Sequence, residues 1–573
     1  MSALLHAPLP RLTVLALALL PALPALASAA GAPAEPPFPL PEGRVVETQM
    51  NVWEDRTYTV ELFLKRKLCP ALKEHGAAAA ALFDEEASLV LPTETEQPLK
   101  VHLLGLEGGT LAPGPEQTLG REGVGAALEG WLGPHAERSR CSVGFHTSII
   151  VRGEPFLAQG RFHLTFGSRD ARGRPIMDSV EASYELRGSR KSPRISRLHL
   201  EQVYRIRAEA PRFVDVTEAA GLPPVFSERK SNFSLDGPDR GSIAIDDVNG
   251  DGWLDLYIGR ADANLLFLAK GDGTYEEKAK SYGLGDTGAA RSMHFVDLDG
   301  DGDEDLVIAN AVHRKGRGGI MVYQREGERF TLVQKIDLGQ SNHFRTMATG
   351  DVDGDGDLDL HVSNYGRSDV RGSESLLFDP TGLPDLLLIN ETKDGKIQLV
   401  NRAKEWGVAD RFWTYGTALA DLDDDGRLDL AIADDFGPKR LYRNTGEGRF
   451  EDLSEASGVG FERASGMGVD VADINGDGHL DLYFANMHSN AGTRLGNFLP
   501  RKDDVSGRIH RAAAGNTLWL GKGDMKFQEV GVPWGVADGG WAWGIRFVDL
   551  DLHGGSELAS PCGFLTGPEL DDG

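Results

Sequence analysis

Five copies of one acidic nonapeptide dominate the sequence. They run Asp247–Asp255, Asp297–Asp305, Asp351–Asp359, Asp421–Asp429 and Asp473–Asp481, and are numbered here acidic loops 1 to 5. Each has Asp at positions 1, 5 and 9, Asp or Asn at position 3, and Gly at position 6. Alternate side chains of such a loop bring oxygens onto one hard cation, and Gly permits the turn that adds the carbonyl of position 7. The spacing therefore predicts about five calcium ions, with plain solvated acidic turns as the alternative.

The predicted metal ligands are the side chains at positions 1, 3, 5 and 9. They are Asp247, Asn249, Asp251 and Asp255 in loop 1, Asp297, Asp299, Asp301 and Asp305 in loop 2, Asp351, Asp353, Asp355 and Asp359 in loop 3, Asp421, Asp423, Asp425 and Asp429 in loop 4, and Asp473, Asn475, Asp477 and Asp481 in loop 5. An EF-hand opens in the same way but needs Glu at position 12, where this chain has apolar residues. We therefore expect each loop to lead into a strand. A sixth copy, Asp549 to Glu557, has His553 at position 5 and is expected to bind calcium weakly or not at all.

The repeat extends beyond the loops. The loops start at residues 247, 297, 351, 421 and 473, and a period of this size indicates stacked or radial units of a few strands. Each repeat has the pattern of four short strands, which in the second are predicted at residues 291–297, 305–310, 320–324 and 329–335. Four-stranded units repeated radially form a β-propeller, which leaves only short edges. The predicted fold class is therefore mainly β: a calcium-binding β-propeller over residues 212–567, preceded by a smaller α+β domain.

The number of blades depends on how the ring closes. The sixth repeat stops after a strand near residues 557–561, so it lacks its outer half. An outer strand at residues 213–217 precedes the first inner strand and has no blade of its own. Pairing these two fragments would close a ring of six blades. A seven-bladed ring, a truncated chain and an open solenoid, which would need capping repeats, are the alternatives.

The repeats resemble a known family. The loops, the Ala309-Asn310 and Ala485-Asn486 pairs after the following strands, and outer strands such as Phe450-Glu451-Asp452 look like FG-GAP/VCBS repeats. Such repeats occur in the integrin α-subunit propeller and in cartilage-acidic-protein-like secreted proteins. The resemblance covers residues 212–567 and implies a propeller whose metal loops join the first and second strands of each blade. It does not specify a ligand.

The N-terminal residues have the pattern of an exported protein. Residues 1–27 read as a secretory signal peptide, with Arg11, an apolar run from Leu12 to Leu26 and a small-x-small cleavage site. That run is short for a membrane span, and a Pro/Ala linker follows over residues 28–41. The protein is therefore predicted to be secreted, periplasmic or extracellular, with no membrane span. Its net charge of −27 argues against nucleic acid or an anionic membrane as a partner.

Residues 42–207 contain no acidic loop and form the predicted α+β domain. The pattern predicts helices over residues 60–83 and 122–132, then strands at 145–152, 160–167, 180–186 and 195–206. With the segments Ala81–Ala87 and Gly120–Gly125, this order resembles the nuclear-transport-factor-like cone. Such cones are enzymes or passive modules. His102, His163 and Asp178 are candidate catalytic groups of this domain. No nucleophile, base and orienting residue form a set, so no catalytic residue is predicted.

The three cysteines do not define a disulfide scaffold. Cys69 and Cys141 both lie in the α+β domain and could bridge in an oxidising compartment, which would leave Cys562 unpaired. Separate buried thiols are the alternative.

A ligand face is predicted opposite the acidic loops. If those loops join first and second strands on one face, the connections from fourth to first strands emerge on the other. They carry His343, Arg345, Trp413, Tyr415, Trp541 and Trp543. Aromatic and Arg groups on a loop face suit recognition of a carbohydrate or a protein. Trp413→Ala and Trp541→Ala should weaken ligand binding while changing stability by less than about 1 kcal/mol, as exposed substitutions do; the alternative is that Trp541 and Trp543 pack between blades.

Together these features predict an exported, calcium-stabilised binding or adhesion protein with no chemistry of its own. Its partner would be an extracellular carbohydrate or protein. The competing class is a polysaccharide-active or other hydrolytic enzyme that uses the propeller face or a pocket of the N-terminal cone, and the fold alone does not decide between them.

Overall fold

The computed structural model describes 59–60, 62–99, 106–152, 155–189, 191–209, 216–223, 242–259, 263–285, 287, 290–310, 319–337, 342–365, 382–435, 437–461, 463–487, 515–537, 539, 542–549 and 555–560. The signal peptide and linker, His102, Trp541, Asp551 and Cys562 lie outside these ranges. The described residues form two compact units, which divide between Val214 and Asp215. No helix among them has the length and apolar character that a membrane crossing requires.

The first unit packs short helices against one eight-stranded sheet. Its helical elements are a π-helical turn at Leu64–Leu68, α1 (Cys69–Glu74), α2 (Gly76–Ala80) and α3 (Arg121–Leu132). Its strands are β1 (Phe83–Val90), β2 (Pro92–Leu99), β3 (Leu106–Pro113), β4 (Gln117–Gly120), β5 (Glu137–Arg152), β6 (Phe156–Arg169), β7 (Pro175–Ser189) and β8 (Ser192–Ala208). The α+β character is confirmed, whereas the cone resemblance stays a prediction.

The sheet of the first unit has the order β2-β3-β8-β7-β6-β5, and β1 pairs with both β8 and β4. The β1–β8 pair is parallel and the others are antiparallel. Alternate residues of β6 and β7, such as Phe162, Leu164 and Val180, are buried against the helices. The predicted helix over 60–83 is wrong at its end: His75 interrupts it, where the backbone is extended and the side chain caps α2, and Phe83 already belongs to β1.

A disulfide joins Cys69 of α1 to Cys141 of β5, with the two Cα atoms 5.5 Å apart. It ties a helix to the sheet across a sequence separation of 72 residues. The bridged alternative, and not separate thiols, is therefore the one that forms.

We expect the Cys69→Ser, Cys141→Ser double variant to lose about 2–4 kcal/mol of unfolding free energy in the first unit, because the bridge restricts the unfolded chain. Denaturant unfolding of oxidised, reduced and variant protein measures this loss. Cys562→Ser is the matched control, and an equal loss in that control would contradict the assignment.

The second unit consists of antiparallel sheets. Blade 1 contains β9 (Ile243–Asp246), β10 (Asp255–Ile258), β11 (Leu265–Ala269) and β12 (Tyr275–Glu277); blade 2 contains β13 (Ala290–Val296), β14 (Asp305–Asn310), β15 (Gly319–Glu326) and β16 (Arg329–Ile336); blade 3 contains β17 (Phe344–Gly350), β18 (Asp359–Asn364), β19 (Leu386–Asn390) and β20 (Leu399–Asn401). Helix α4 (Ala403–Trp406) follows blade 3. The strands of blade 2 lie where the repeat pattern predicts them.

Blades 4 and 5 have the same strand order, and a sixth sheet has two strands. Blade 4 contains β21 (Trp413–Ala420), β22 (Asp429–Asp435), β24 (Arg440–Asn444) and β25 (Phe450–Asp452), with β23 (Gly437–Pro438) pairing instead with β26 (Arg463–Ala464); a 3-10 turn spans Val459–Phe461. Blade 5 contains β27 (Gly466–Ala472), β28 (Asp481–Asn486), β29 (Thr517–Gly521) and β30 (Phe527–Glu529); blade 6 contains β31 (Arg546–Val548) and β32 (Glu557–Ala559). The first strands of successive blades contact one another in chain order, as in a β-propeller.

A repeated contact joins the outer edges of the blades. The turn after one outer strand accepts a backbone N–H from the outer strand of the next blade: Phe330 donates to Tyr282 and Phe527 to Ser457. The turn at residues 217–222 makes the same contact with blade 1, because Tyr275 N–H donates to Ala220 O at 3.0 Å. This turn therefore holds the place of an outer turn preceding blade 1. The predicted pairing of residues 213–217 with residues 557–561 extends outside the described residues.

Candidate functional site

Each acidic loop joins the first and second strands of its blade, and its last Asp is the first residue of the second strand. The prediction that the loops lead into strands is confirmed. Positive φ angles occur at position 6 and also at position 4: Gly354 has φ 77° and Gly356 has φ 98°. Loop 4 places Asp424 at position 4 with φ 63°. The glycine at position 6 was predicted to permit the turn, whereas the turn at position 4 was not, although four of the five loops also have Gly there.

The carboxylate at position 1 holds the loop backbone in a tight turn. In loop 3, Asp351 Oδ1 accepts the N–H of Gly354 at 2.7 Å and Oδ2 accepts that of Gly356 at 3.1 Å. The side chains at positions 3 and 5 accept N–H groups two residues ahead, as Asp355 does from Asp357 at 3.0 Å. Loop backbone N–H groups thus fix the orientation of the carboxylates at positions 1, 3 and 5.

Position 9 has a structural role that the spacing did not reveal. Asp359 is fully buried, and its Oδ2 accepts Val352 N–H of the loop while its Oδ1 accepts Asn390 N–H of the third strand, both at 2.8 Å. The same pair of bonds occurs at Asp255, Asp305, Asp429 and Asp481. This residue therefore joins each loop to two strands of its blade, in addition to any bond that it makes to a cation.

The oxygens of three loops fit a hard cation. One carboxylate oxygen from each of Asp297, Asp299 and Asp305 in loop 2, from Asp351, Asp353 and Asp355 in loop 3, and from Asp421, Asp423 and Asp425 in loop 4 lies within 4.8 Å of the others. Calcium–oxygen bonds of about 2.4 Å place two opposite ligands about that far apart. In loops 1 and 5 the Asn at position 3 differs chemically, because its amide donates to the position 5 carboxylate at 2.9 and 3.0 Å.

Burial dominates the electrostatics of the position 9 carboxyls. It raises the pKa of Asp305, Asp359 and Asp429 to about 7, backbone donors oppose the shift, and the neighbouring loop carboxylates add to it. The pKa values of Asp255 and Asp481 are also raised, for the same reason. The raised pKa values reflect in part the repulsion among the carboxylates of one loop, which a bound cation would relieve.

Position 4 offers a mutational check of the loop geometry. We expect Gly354→Ala to cost about 1–2 kcal/mol, because an L side chain with a Cβ is strained at positive φ. Nothing lies within 4 Å of the added Cβ, so steric contact with neighbours contributes little. Gly354→Asn is the control and should cost less, since Asn tolerates this conformation. Equal losses of unfolding free energy in the two variants would contradict the backbone argument.

Four of the six predicted ligand residues, Arg345, Trp413, Tyr415 and Trp543, meet at the ends of strands opposite the acidic loops. The guanidinium of Arg345, in β17, lies over the rings of Tyr365 and Tyr415, at 4.6 and 4.9 Å from their centroids. Tyr365 contacts Trp413 edge to face with centroids 5.0 Å apart, and Tyr415 contacts Trp543 at 5.8 Å. We call these five residues the aromatic cluster. Tyr365 was not predicted as a site residue; its position directly after the second strand of its blade was the available signal.

The cluster differs from the prediction in one respect. Trp413 is 7% exposed, so the exposed ring that the prediction assumed is wrong, and we expect Trp413→Ala to cost more than about 1 kcal/mol. Tyr415, Trp543, Arg345 and Tyr365 are half-buried. The backbone carbonyl of His343 accepts Tyr365 N–H at 2.8 Å.

An ion network that the sequence analysis missed lies beside the cluster. Arg440, 2% exposed, donates to Asp434 at 2.5 Å in its own blade and to Asp385 of blade 3 at 3.2 Å. Thr414 donates to both carboxylates, and Tyr365 O–H donates to Asp435 at 2.6 Å. Charges therefore tie blade 3 to blade 4 next to the predicted ligand face.

Asp178 and His163, the candidate chemical residues of the first unit that the structure describes, have structural partners. Asp178 is fully buried, accepts two bonds from Arg205 and one from Trp131, and lies 3.1 Å from His135 Nε2, whose Nδ1 lies 2.6 Å from Ser168 Oγ. Burial raises the pKa of Asp178, but Arg205 and His135 overcome this and hold it below its usual value. These side chains are shielded from solvent, so the network fastens α3 to the sheet. His163 pairs with Glu181 at 2.9 Å.

Comparison with known proteins supports the repeat interpretation. Residues 247–308, 297–362 and 421–484 match the FG-GAP-like repeat, and these ranges contain all five acidic loops, which confirms the resemblance for them. The propeller thus contains FG-GAP-like repeats.

The chain is also similar to cartilage acidic protein 1. It is 26% identical to that of Xenopus tropicalis over 296 residues, which is 48% of this chain and 43% of the relative, and 25% identical to that of Mus musculus over 304 residues, 49% and 44%. The chain thus spans less than half the length of the curated relatives that it matches. Among solved structures, an Agrocybe aegerita lectin that recognises non-reducing terminal N-acetylglucosamine aligns with 18% identity and a TM-score of 0.34, over 56% of this chain and 74% of the lectin.

Proposed function

We propose that this chain is an exported binding or adhesion protein whose propeller is stabilised by calcium and recognises a ligand at the aromatic cluster. The observation that carries the proposal is the juxtaposition of Arg345, Tyr365, Tyr415 and Trp543, all half-buried, on the face opposite the acidic loops. Aromatic rings beside a cationic group provide both apolar contact and directed polar contact for a ligand.

Calcium would be held by the side chains at positions 1, 3, 5 and 9 and by the carbonyl at position 7. The convergence of carboxylate oxygens in loops 2, 3 and 4 supports this assignment. The cation would neutralise the repelling carboxylates and so keep the first and second strands of each blade in register. Its role is structural, because the aromatic cluster lies at the other ends of these strands.

Export is supported by the signal-like residues 1–27 and by the Cys69–Cys141 disulfide, since disulfides persist in oxidising compartments. Similarity to cartilage acidic protein 1 supports an extracellular binding role. We propose no chemistry for the chain: the His135–Asp178 pair is enclosed and bonded to Arg205, and Asp385 and Asp434 are fully buried and both bonded to Arg440.

A glycan array probed with purified protein in about 1 mM calcium, together with a hydrolysis assay on every bound glycan, tests the function. We expect retention of a defined glycan class, unchanged in mass after incubation. Release of shortened products would overturn the non-enzymatic assignment. Absence of glycan binding would leave a protein ligand, which immobilised extracellular proteins would then test.

A further inference from the structure

Arg345 is the cation of the aromatic cluster, and its donors have no hydrogen-bond partner among the described residues. Its Nε is buried, yet it donates to nothing. Two tyrosine rings hold the guanidinium plane by cation–π contact, at 4.6 and 4.9 Å. The buried arginines Arg205 and Arg440 are instead paired with carboxylates. Stacking positions the guanidinium of Arg345 and leaves its N–H groups for another acceptor.

Asp435 is an acidic group that contacts the cluster through Tyr365. Asp435 is 3% exposed, and its Oδ2 accepts the hydroxyl of Tyr365 at 2.6 Å. Burial and this carboxylate both raise the pKa of Tyr365, so the phenol stays protonated and acts as the donor. Asp434 and Asp385 accept from Arg440. Asp385, Asp434 and the Oδ2 oxygen of Asp435 thus accept from donors other than Arg345.

From this arrangement we infer that the aromatic cluster binds a saccharide that carries a carboxylate, with Arg345 as the group that receives it. A planar guanidinium matches a carboxylate with two parallel hydrogen bonds. Tyr415 and Trp543 pack in part against the core of blades 5 and 6, and the part of their rings that stays exposed provides an apolar surface for a sugar ring, which favours a saccharide over an acidic peptide. The inference rests on the proposed binding function and adds the ligand's chemical class.

The test compares two probes that differ only at the acid: an oligosaccharide ending in glucuronate, and its carboxyl-reduced counterpart ending in glucose. Binding is followed by the intrinsic fluorescence of the tryptophans and by calorimetry, in about 1 mM calcium. We expect the acidic probe to bind at least about tenfold more tightly, the scale of one charge-assisted hydrogen bond.

Variants assign the preference to Arg345. Arg345→Gln should remove the preference for the acidic probe, and Arg345→Lys should retain only part of it, because an ammonium lacks the two-pronged geometry. Arg449→Gln makes the same charge change on an exposed residue of blade 4 and should bind as the unchanged protein does. Melting temperatures verify folding; if Arg345→Gln does not fold, Arg345→Lys alone decides.

Each other outcome overturns a distinct statement. Equal binding of both probes, unaffected by Arg345→Gln, would refute the acidic ligand and leave the proposed binding function intact. Binding of an oligoglutamate peptide with neither saccharide bound would refute the saccharide class. Binding of none of the three probes, combined with an empty glycan array, would refute both the inference and the carbohydrate form of the proposed function.

Discussion

Removing calcium with excess EDTA is expected to lower the melting temperature of the second unit by many degrees. With an affinity of about 0.1 mM, typical of extracellular sites, and about 1 mM free calcium, each loop gains RT ln(1+10), or about 1.4 kcal/mol. Five independent loops total about 7 kcal/mol, against total domain stabilities of about 5–15 kcal/mol. The repulsion among the carboxylates of each metal-free loop adds to the loss.

Loop 3 allows this expectation to be tested within a single loop. Asp355→Ala removes a position 5 ligand and should reproduce part of the EDTA effect, whereas Asp357→Ala removes the same charge from position 7, where only the backbone carbonyl is expected to bind. Asp551→Ala in the degenerate sixth copy should change the calcium response little. Calorimetric melting with and without EDTA measures all four proteins. A melting curve unaffected by EDTA would mean that the loops are acidic turns and not metal sites.

The second large effect is expected at Arg440. Arg440→Met would leave Asp385 and Asp434, both fully buried, without their cation, and removing one partner of a buried ion pair costs about 3–5 kcal/mol. Neutralising both carboxylates in the triple variant Arg440→Met, Asp385→Asn, Asp434→Asn should restore much of that loss, because no buried charge then remains unpaired.

Denaturant unfolding of the second unit measures the Arg440 effect. The control is Arg443→Met, in the same strand as Arg440. It breaks the exposed ion pair between Arg443 and Glu451 of β25 and should cost less than about 1 kcal/mol. A triple variant no more stable than Arg440→Met alone would show that packing, and not charge, explains the loss.

The propeller could be predicted because its signal is local and repeated. Each loop carries its turn residues at constant offsets, so the strand limits of blade 2 follow within about two residues. Strands β1 to β4 were not predicted. For β1 the reason is that it follows an Ala-rich segment of high helix propensity, and only pairing with distant β8 makes it a strand. Each position 9 carboxylate accepts two hydrogen bonds, and one of them comes from a third strand that the motif does not contain.

The candidate site was predicted only in part, because strand order is a local signal whereas packing between blades is not. Strand parity places Arg345, Trp413, Tyr415 and Trp543 on one face, but the depth of Trp413 and the partners of Arg440 depend on how neighbouring blades pack. Arg440 and Asp434 are six residues apart in one hairpin, whereas Asp385 comes from another blade. The residues of a contact between blades do not recur at a fixed spacing in the sequence, so sequence reasoning could not identify them.

The acidic loops are also linked from blade to blade in one direction along the chain. Asn390 of blade 3 donates its side-chain amide to the carbonyl of Leu298 in loop 2, and Asn444 of blade 4 does the same to Val352 in loop 3. Gly521 holds the corresponding place in blade 5 and has no side chain, and loop 4 instead meets loop 5 through Asp424 and His479, 2.6 Å apart. The blades are therefore not interchangeable modules: deleting or transplanting blade 3 or blade 4 would remove an amide support from the loop of the blade before it.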